Sequence, residues 1–241
     1  MAFGRLFMIP TPLGEEGFGA ISAQVIDCVA GLDYFVAERE KTARRFIKQC
    51  APAKSQQALH IEELNKRTTL EVLPDLLKPL LAGNDLGMLS EAGCPGVADP
   101  GAVLVRAAHE KGIEVVPLTG PSSIILALMA SGMNGQSFCF HGYLPAKGPE
   151  LQQRLKQLEH QAGRFQQTQL FIETPYRNQK LLETMLNTLQ PHTVLSIAAD
   201  LTLPSAYTRT QSISEWQATE LPDLHKRPAV FSIFAGPRVR L

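Results

Sequence analysis

The sequence has few of the residues that mark metal-binding or disulfide-stabilised proteins. Its four cysteines, at positions 28, 50, 94 and 139, are far apart and form no CxxC pair, and its six histidines form no HxxxH or HExxH group. Neither a disulfide framework nor a metal centre is therefore expected. The formal net charge is zero, with 23 basic and 23 acidic residues, so no global field draws the chain to nucleic acid or to an anionic membrane.

Long hydrophobic runs and the common nucleotide-binding motifs are also missing. The apolar run before Pro10 is only a few residues long, too short for a signal peptide or a membrane span, so we expect a protein of the reducing cytoplasm. No GxGxxG follows a strand and no GxxxxGK[ST] is present, so neither a Rossmann dinucleotide site nor a P-loop is supported. The absence of GxSxG argues against a hydrolase nucleophile elbow.

What the sequence does have is an alternation of short apolar runs with helical patterns. The chain of 241 residues is 44% hydrophobic, which is enough for a substantial core. Runs such as "RLFMIP", "YFVAE", "DLGML" and "IEVVP" are typical of buried strands, and helical patterns separate them. This alternation predicts an α/β fold of two lobes with mainly parallel sheets and helices on both faces. We expect the N-terminal lobe to span residues 1–117 and the C-terminal lobe to span 118–241.

Three predicted strands end in turns rich in glycine and proline, namely "PTPLG", "SEAGCPGVADPG" and "LTGPSS". Ligands of open parallel sheets bind beyond the carboxyl ends of strands, where such loops leave the sheet. Glycine lets a backbone approach a ligand closely, and proline restricts the path of the loop. Any one of these turns alone is better explained as an ordinary chain reversal, but the three together indicate a ligand cleft.

Taken in order, these motifs resemble the tetrapyrrole methylase superfamily of S-adenosylmethionine-dependent methyltransferases, nearest to its ribosomal RNA small subunit methyltransferase I subgroup. The resemblance rests on Thr11–Gly14, Ser90–Gly101, Gly120–Ser123, Phe171–Arg177 and Ala229–Gly236. It implies two α/β lobes in a homodimer, with S-adenosylmethionine in the cleft between the lobes. The N-terminal lobe would then carry the glycine-rich loop and the acceptor side, and the C-terminal lobe the cofactor side.

The resemblance also implies a set of cofactor-binding positions. These are Pro10, Ala92, Gly93, Cys94, Val97, Ser122, Ser123, Glu173, Ala199 and Ala229. The backbone of the segment 92–94 would contact the methionine part of the cofactor, and the two alanines at 199 and 229 would lie near the adenine. Methyl transfer is an in-line displacement that depends mainly on placement of donor and acceptor, which is consistent with a cleft built from backbone turns.

The chain departs from the subgroup where an acceptor would bind. It reads "TPLGEE" instead of "TPIGNL", which puts Glu15 and Glu16 in the first loop, where two negative charges oppose an RNA phosphate. The subgroup's "AEDTRxT" and "ARELTK" become "AEREKTA" and "AADLTL", so basic side chains are lost at Ala199 and Leu203. The usual aspartate of the long loop is Glu91. The cofactor half of the pattern is kept and the acceptor half is altered.

One feature nevertheless favours RNA as the partner. Lys41, Arg44, Arg45 and Lys48 are spaced so that they fall on one face of a predicted helix and could contact phosphates. The alternative is an ordinary solvated helix face, with its charge offset by neighbouring glutamates. Arg177 is a further candidate for binding a phosphate or carboxylate, and an exposed ion pair explains it equally well.

Two acidic residues have open roles. Glu38 ends a predicted strand and is the acidic candidate for deprotonating a hydroxyl acceptor, with a plain surface carboxylate as the alternative. Asp99 is expected to cap the following helix rather than to act in catalysis.

The expected function is a cytoplasmic S-adenosylmethionine-dependent methyltransferase, a divergent relative of the 16S ribosomal RNA 2′-O-ribose methyltransferases. Ribosomal RNA or the small ribosomal subunit is the expected partner. Two alternatives stay open: methylation of a small molecule such as a tetrapyrrole, and a catalytically silent protein that binds the cofactor.

Overall fold

The structure is a computed structural model that describes residues 2–236. Its internal contacts divide it into two units, Met1–Ser122 and Ser123–Leu241. This division falls slightly beyond the boundary expected after residue 117. None of the helices within residues 2–236 is long and apolar enough to cross a membrane.

The first unit is a parallel sheet with helices on both faces, as the alternating pattern predicts. Its strands are β1 (Leu6–Ile9), β2 (Tyr34–Ala37), β3 (His60–Glu63), β4 (Leu86–Leu89) and β5 (Val115–Pro117), arranged in the order β3-β2-β4-β1-β5. Its helices are α1 (Ala23–Gly31), α2 (Glu40–Cys50), α3 (Leu73–Leu76), α4 (Lys78–Leu81) and α5 (Gly101–Glu110), with two 3-10 helices at Glu15–Ala20 and Leu70–Val72. All four strand pairs of this sheet are parallel.

The period-two alternation of side chains in β1 and β4 sorts the helices onto opposite faces. Ile9 and Leu89 point into a core that α1 and α2 complete. Met8 and Met88, one residue earlier in each strand, point into the opposite core with α3, α4 and α5. Two prolines interrupt the helical segment after β3, where Pro74 and Pro79 lie in the first turns of two short helices in place of one long one.

The second unit also combines helices with a five-stranded sheet. Its strands are β6 (Phe138–Tyr143), β7 (Thr168–Ile172), β8 (Val194–Ala199), β9 (Tyr207–Ser212) and β10 (Ala229–Phe234), in the order β6-β7-β10-β8-β9. Its helices are α6 (Ser123–Ser131), α7 (Gly148–Phe165), α8 (Asn178–Thr188) and α9 (Ile213–Gln217). The helices α7, α8 and α9 cover one face of the sheet, and α6 covers the other.

The sheet of the second unit corrects the expectation of mainly parallel pairing. Only β6 and β7 run parallel, and the pairs β7–β10, β10–β8 and β8–β9 are antiparallel. A parallel pair needs a crossover connection, usually a helix. Between β8 and β9 the chain has only the loop 200–206, so β9 folds back beside β8. The sequence reasoning identified neither β6 nor β9 as a strand.

Candidate active site

The carboxyl ends of β1 and β4 form the switch point of the first sheet. The two strands are neighbours, and the helices that follow them pack on opposite faces of the sheet. A crevice opens where connections leave a parallel sheet in opposite directions, and ligands of such folds bind there. The loops after β1 and β4 are two of the three glycine-rich turns that the sequence indicates.

A two-residue bridge joins these loops. The amide of Thr11 donates to the carbonyl of Gly93, and the amide of Gly93 donates to the carbonyl of Thr11, both at 3.0 Å. The Thr11 hydroxyl donates to the Ser90 carbonyl at 3.2 Å, and the Ser90 hydroxyl donates to the Gly93 carbonyl at 3.0 Å. Thr11 and Ser90 are both buried, so water does not compete for these bonds.

Gly93 occupies a position that other residues fit poorly. Its φ of +77° is in the left-handed region, and an added Cβ would lie 3.1 Å from the side chain of Leu13 and 3.3 Å from the carbonyl of Pro121. The third turn also packs here, because a Cβ at Gly120 would collide with the ring of Pro10. The loops after β1, β4 and β5 therefore meet at one place.

Asp99 holds the far end of the loop after β4. Its Oδ1 accepts hydrogen bonds from the amides of Gly96 at 2.6 Å and Gly101 at 2.8 Å, so it binds the first turn of α5. The N-cap residue of α5 is Pro100, so Asp99 binds the first helical amide from the position before the cap and is not the cap residue itself. Burial raises the pKa of the Asp99 carboxyl, while the two amide bonds act in the opposite direction. The second carboxylate oxygen is buried and bonds to no group among residues 2–236.

The predicted cofactor positions of the first unit lie around the bridge. They are Pro10, Ala92, Gly93, Cys94, Val97 and Ser122. Thr11 already occupies the amide of Gly93, whereas the amides of Ala92 and Cys94 bond to no residue that the structure describes. The Cys94 thiol lies 3.5 Å from the Pro121 carbonyl, and burial raises its pKa. Val97 is half-exposed.

Glu38 lies directly after β2 and contacts the same loop. The backbone amide of Glu91 lies close enough to the Glu38 carboxylate to favour its charged form, and the Thr42 hydroxyl donates to Glu91 Oε1 at 2.5 Å. Burial is the main cause of a raised pKa for Glu38, and the negative charge of Asp99 adds to it. Sequence reasoning did not identify Thr42, although its place in the first turn of α2, four residues after Glu38, was a usable signal.

A cavity of about 250 Å3 lies at the same edge of the sheet. It is lined by the loop Thr11–Glu15, by residues of α2 and by Ser90 and Glu91 after β4. Its lining includes the apolar side chains of Pro12, Leu13 and Phe46 and the polar side chains of Thr42 and Gln49.

The four basic residues of α2 share one side of the helix, as their spacing predicts. Ala43, Phe46, Ile47 and Cys50 form the buried side of α2. Two of the basic residues are already paired: Arg44 contacts Glu40 at 2.6 Å and the Gln56 carbonyl at 2.5 Å, and Arg45 contacts Glu15 at 2.5 Å. Lys41 and Lys48 are exposed and form no ion pair with any described residue.

The remaining predicted residues lie in the second unit. Glu173 follows β7, and its Oε1 contacts the Arg177 guanidinium at 2.6 Å and the Thr174 amide at 2.6 Å. Thus two residues predicted for different ligands pair with each other. Ala199 and Ala229 face each other across β8 and β10, at the end of the sheet where β7 also ends. Their side chains are buried in the core beneath α7 and α8, so only their backbones can contact a ligand.

Two further placements complete the second unit. Ser123 begins α6, whose Ile124 and Leu128 pack on the sheet. Asp200, in the left-handed conformation just after β8, pairs with Arg227 at 2.6 Å. Sequence reasoning missed this pair because nothing in the local pattern links residues so far apart in the chain.

Comparison with known proteins identifies the family to which the chain belongs. The model of the family described as Tetrapyrrole (Corrin/Porphyrin) Methylases matches residues 5–216. Several curated relatives carry the name "Ribosomal RNA small subunit methyltransferase I". The relative from Vibrio cholerae serotype O1 is 32% identical over 197 residues, which are 82% of this chain and 65% of that protein. The relative from Streptococcus pyogenes serotype M6 is 33% identical over 183 residues, covering 76% and 60%.

A third relative, from Escherichia coli O157:H7, is 32% identical over 199 residues, which are 83% of this chain and 66% of that protein. The matched part of this chain thus spans less than two thirds of the length of each of these three relatives.

Solved structures with the same fold include two methyltransferases. The structure of the methyltransferase CobJ has a TM-score of 0.63 at 19% identity and covers 96% of this chain and 94% of its own. The structure of uroporphyrin-III-C-methyltransferase from Thermus thermophilus has a TM-score of 0.55 at 17% identity, with coverages of 96% and 92%. These similarities support the fold, and the family model that matches nearly the whole sequence supports the family. The resemblance recognised in the motifs is confirmed: the chain belongs to the tetrapyrrole (corrin/porphyrin) methylase family.

Proposed function

We propose that this protein is an S-adenosylmethionine-dependent methyltransferase and a divergent relative of the enzymes that methylate a ribose 2′-hydroxyl of 16S ribosomal RNA. The observation that carries the proposal is the convergence of three strand-exit loops at the switch point, held by the Thr11–Gly93 bridge and by the packing of Gly120 on Pro10. Family membership and the names of the relatives support it.

The loop after β4 fits the backbone recognition of a small polar cofactor. A Cβ at Gly93 would narrow the space beside Leu13, and the amides of Ala92 and Cys94 bond to nothing in the described chain. Two amides without a partner in the described chain could donate to the carboxylate of an amino-acid moiety. When bound, S-adenosylmethionine would supply a methyl group on a positively charged sulfur. The side chain of Glu173 is engaged by Arg177, so we assign its cofactor contact to the backbone.

Glu38 is the residue that we propose as the general base. Its raised pKa brings the carboxylate closer to the range in which a base is effective. It directly follows Ala37, which lines the cavity, and its carboxylate lies close to the Glu91 amide of the proposed cofactor loop. From there the Glu38 carboxylate would accept the proton of the acceptor hydroxyl.

RNA is the acceptor that we favour, on the names of the relatives and the basic side of α2. Lys41 and Lys48 are the residues proposed to contact phosphates, with Arg45 at the cavity. One observation favours a small-molecule acceptor instead: Arg44, Arg45 and Arg177 all have glutamate partners within their own unit.

Two experiments test the activity itself. Calorimetry with S-adenosylmethionine should show binding, and well-folded protein that binds none would refute the proposal. Labelled S-adenosylmethionine is then incubated with the protein and an extract of a deletion strain. Label in ribosomal RNA supports the proposal, label in a small molecule supports the alternative, and no label in any fraction supports a silent cofactor-binding protein.

The basic side of α2 is tested by charge removal. The variant Lys41→Ala/Lys48→Ala should bind RNA more weakly and with a smaller salt dependence, since each lost phosphate contact lowers the slope of log K against log salt by roughly 0.7–0.9. The control Lys111→Ala/Lys156→Ala removes the same charge from α7 and from the end of α5, at exposed positions. Equal losses in the two variants would show that only net charge matters.

We also propose that the protein is a homodimer and that it is located in the cytoplasm. The ribosomal substrate implies the location. Sedimentation equilibrium tests the dimer, and a mass close to the 26.4 kDa of one chain would exclude it.

A further inference from the structure

The size of the cavity beside Thr11–Glu15 limits what it can hold. At about 250 Å3 it is smaller than the roughly 300–1,000 Å3 of sites for drug-sized ligands. It suits one nucleoside-sized group. The apolar side chains of Pro12, Leu13 and Phe46 in its lining suit a flat ring, and Thr42 and Gln49 in the same lining provide polar groups.

Arg45 lines this cavity and is held by one displaceable partner. Its guanidinium contacts Glu15 at 2.5 Å, and the two side chains are 59% and 77% exposed. Exposed ion pairs of this kind contribute little, so a competing anion can open them. A phosphate is such an anion and binds a guanidinium through two parallel hydrogen bonds.

Arg44 differs from its neighbour in this respect. It is only one-third exposed and is held both by Glu40 on its own helix and by the Gln56 carbonyl. Arg45 is therefore the arginine of α2 that an incoming phosphate can recruit.

Glu16 provides an internal comparison. It follows Glu15 in the same 3-10 helix and is also exposed, yet it forms no ion pair with a residue of the described chain. The two glutamates contribute the same charge to the loop, and only Glu15 occupies Arg45.

We propose that this cavity binds one phosphate-bearing nucleotide unit of the RNA acceptor, and that Glu15 sets its affinity by competing with the phosphate for Arg45. This inference rests on the proposed function. It adds where the acceptor binds and which ion pair the acceptor must displace. Glu15 is a specificity-determining residue: acceptors without a phosphate leave the Glu15–Arg45 pair closed.

The test measures binding of a fluorescent single-stranded RNA oligonucleotide by anisotropy over a series of salt concentrations. Glu15→Gln should raise the affinity by up to about fivefold at low salt and steepen the salt dependence. Glu16→Gln should have a smaller effect. In the Arg45→Gln background, Glu15→Gln should raise the RNA affinity no more than Glu16→Gln does.

Three outcomes would each overturn the inference. Glu15→Gln and Glu16→Gln could change the RNA affinity equally, the gain in affinity from Glu15→Gln could persist in the Arg45→Gln background, or none of the variants could bind RNA. Gln49→Trp, which fills the cavity, should weaken RNA binding, and an unchanged affinity would also overturn it. Thermal melts of every variant establish folding. Calorimetry with S-adenosylmethionine on the same samples tests the proposed function separately, because cofactor binding does not depend on the acceptor site.

Discussion

Thr11 and Gly93 exchange two backbone hydrogen bonds of 3.0 Å across the carboxyl ends of β1 and β4. This bridge makes one rigid unit out of two loops that lie far apart in sequence. It also determines which amides remain for a ligand, because it uses those of Thr11 and Gly93 and leaves those of Ala92 and Cys94.

Replacement of Gly93 by alanine should weaken cofactor binding. The variant forces a side chain into the left-handed region, at roughly 1–2 kcal/mol, and brings a Cβ within 3.1 Å of Leu13. Gly112→Ala is the matched control, since Gly112 also has a positive φ of +69° but no atom within 4 Å of the added Cβ. Urea unfolding should show a loss of stability in both variants. Calorimetry should show weaker S-adenosylmethionine binding only in Gly93→Ala, and equal affinities would contradict the role of the loop.

The stability contribution of Asp99 should fall as the pH rises. Burial raises the pKa of this carboxyl above its ordinary value of 3.8, so the folded protein holds the proton more tightly than the unfolded chain. The contribution is present below pH 3.8 and is lost as the pH rises through the raised pKa. The difference in unfolding free energy between wild type and Asp99→Asn should therefore decrease over this range, as measured by urea unfolding at a series of pH values.

Asp85 is a control, because its contribution to stability should change with pH in the opposite direction. A side-chain hydrogen bond from Arg5 is the main cause that lowers the pKa of Asp85 below 3.8. Its contribution is present above pH 3.8 and is lost as the pH falls through the lowered pKa. The difference between wild type and Asp85→Asn should thus increase with pH. Slopes of the same sign for both variants would contradict the assigned environments.

Loss of the Arg177 guanidinium should destabilise the protein. Arg177→Gln leaves the Glu173 carboxylate, which is 3% exposed, without its charged partner, and the expected cost is about 1–3 kcal/mol. Lys180→Gln in the same region breaks an exposed pair with Glu183 at 3.3 Å and should change stability by less than about 0.5 kcal/mol. Chemical denaturation compares the two, and equal effects would mean that Glu173 does not depend on Arg177.

Neutralising Glu38 should remove methyl transfer and spare cofactor binding. Glu38→Gln keeps the size of the side chain but lacks the basic carboxylate, and loss of a general base typically costs about 10²–10⁴-fold in rate. Glu62→Gln removes the same charge at an exposed position of β3, beside a different cavity. Single-turnover rates with saturating S-adenosylmethionine test this. A Glu38→Gln rate within a few-fold of the Glu62→Gln rate would exclude Glu38 as the base.

Local patterns were sufficient for most elements of the fold. The three leucines at 151, 155 and 158 share a helical face by spacing alone, and all three lie on the buried face of α7. The proline breaks between α3 and α4 follow from proline stereochemistry, which acts within one turn. Similarly, the motif order that resembles the family spans the chain, and the family model confirms it.

Those local patterns could not predict which residues that are distant in sequence pair with each other. Polar β9 and the antiparallel place of β10 between β7 and β8 depend on which strands lie side by side, and no local propensity encodes this. The same reason explains the candidate site. The sequence by itself determined that the glycine-rich turns leave strands, that α2 carries a basic side, and which family the motifs resemble. Only the tertiary structure decided that Thr11 occupies the Gly93 amide, that Glu15 holds Arg45 and that Arg177 holds Glu173, because each depends on a contact distance that folding creates.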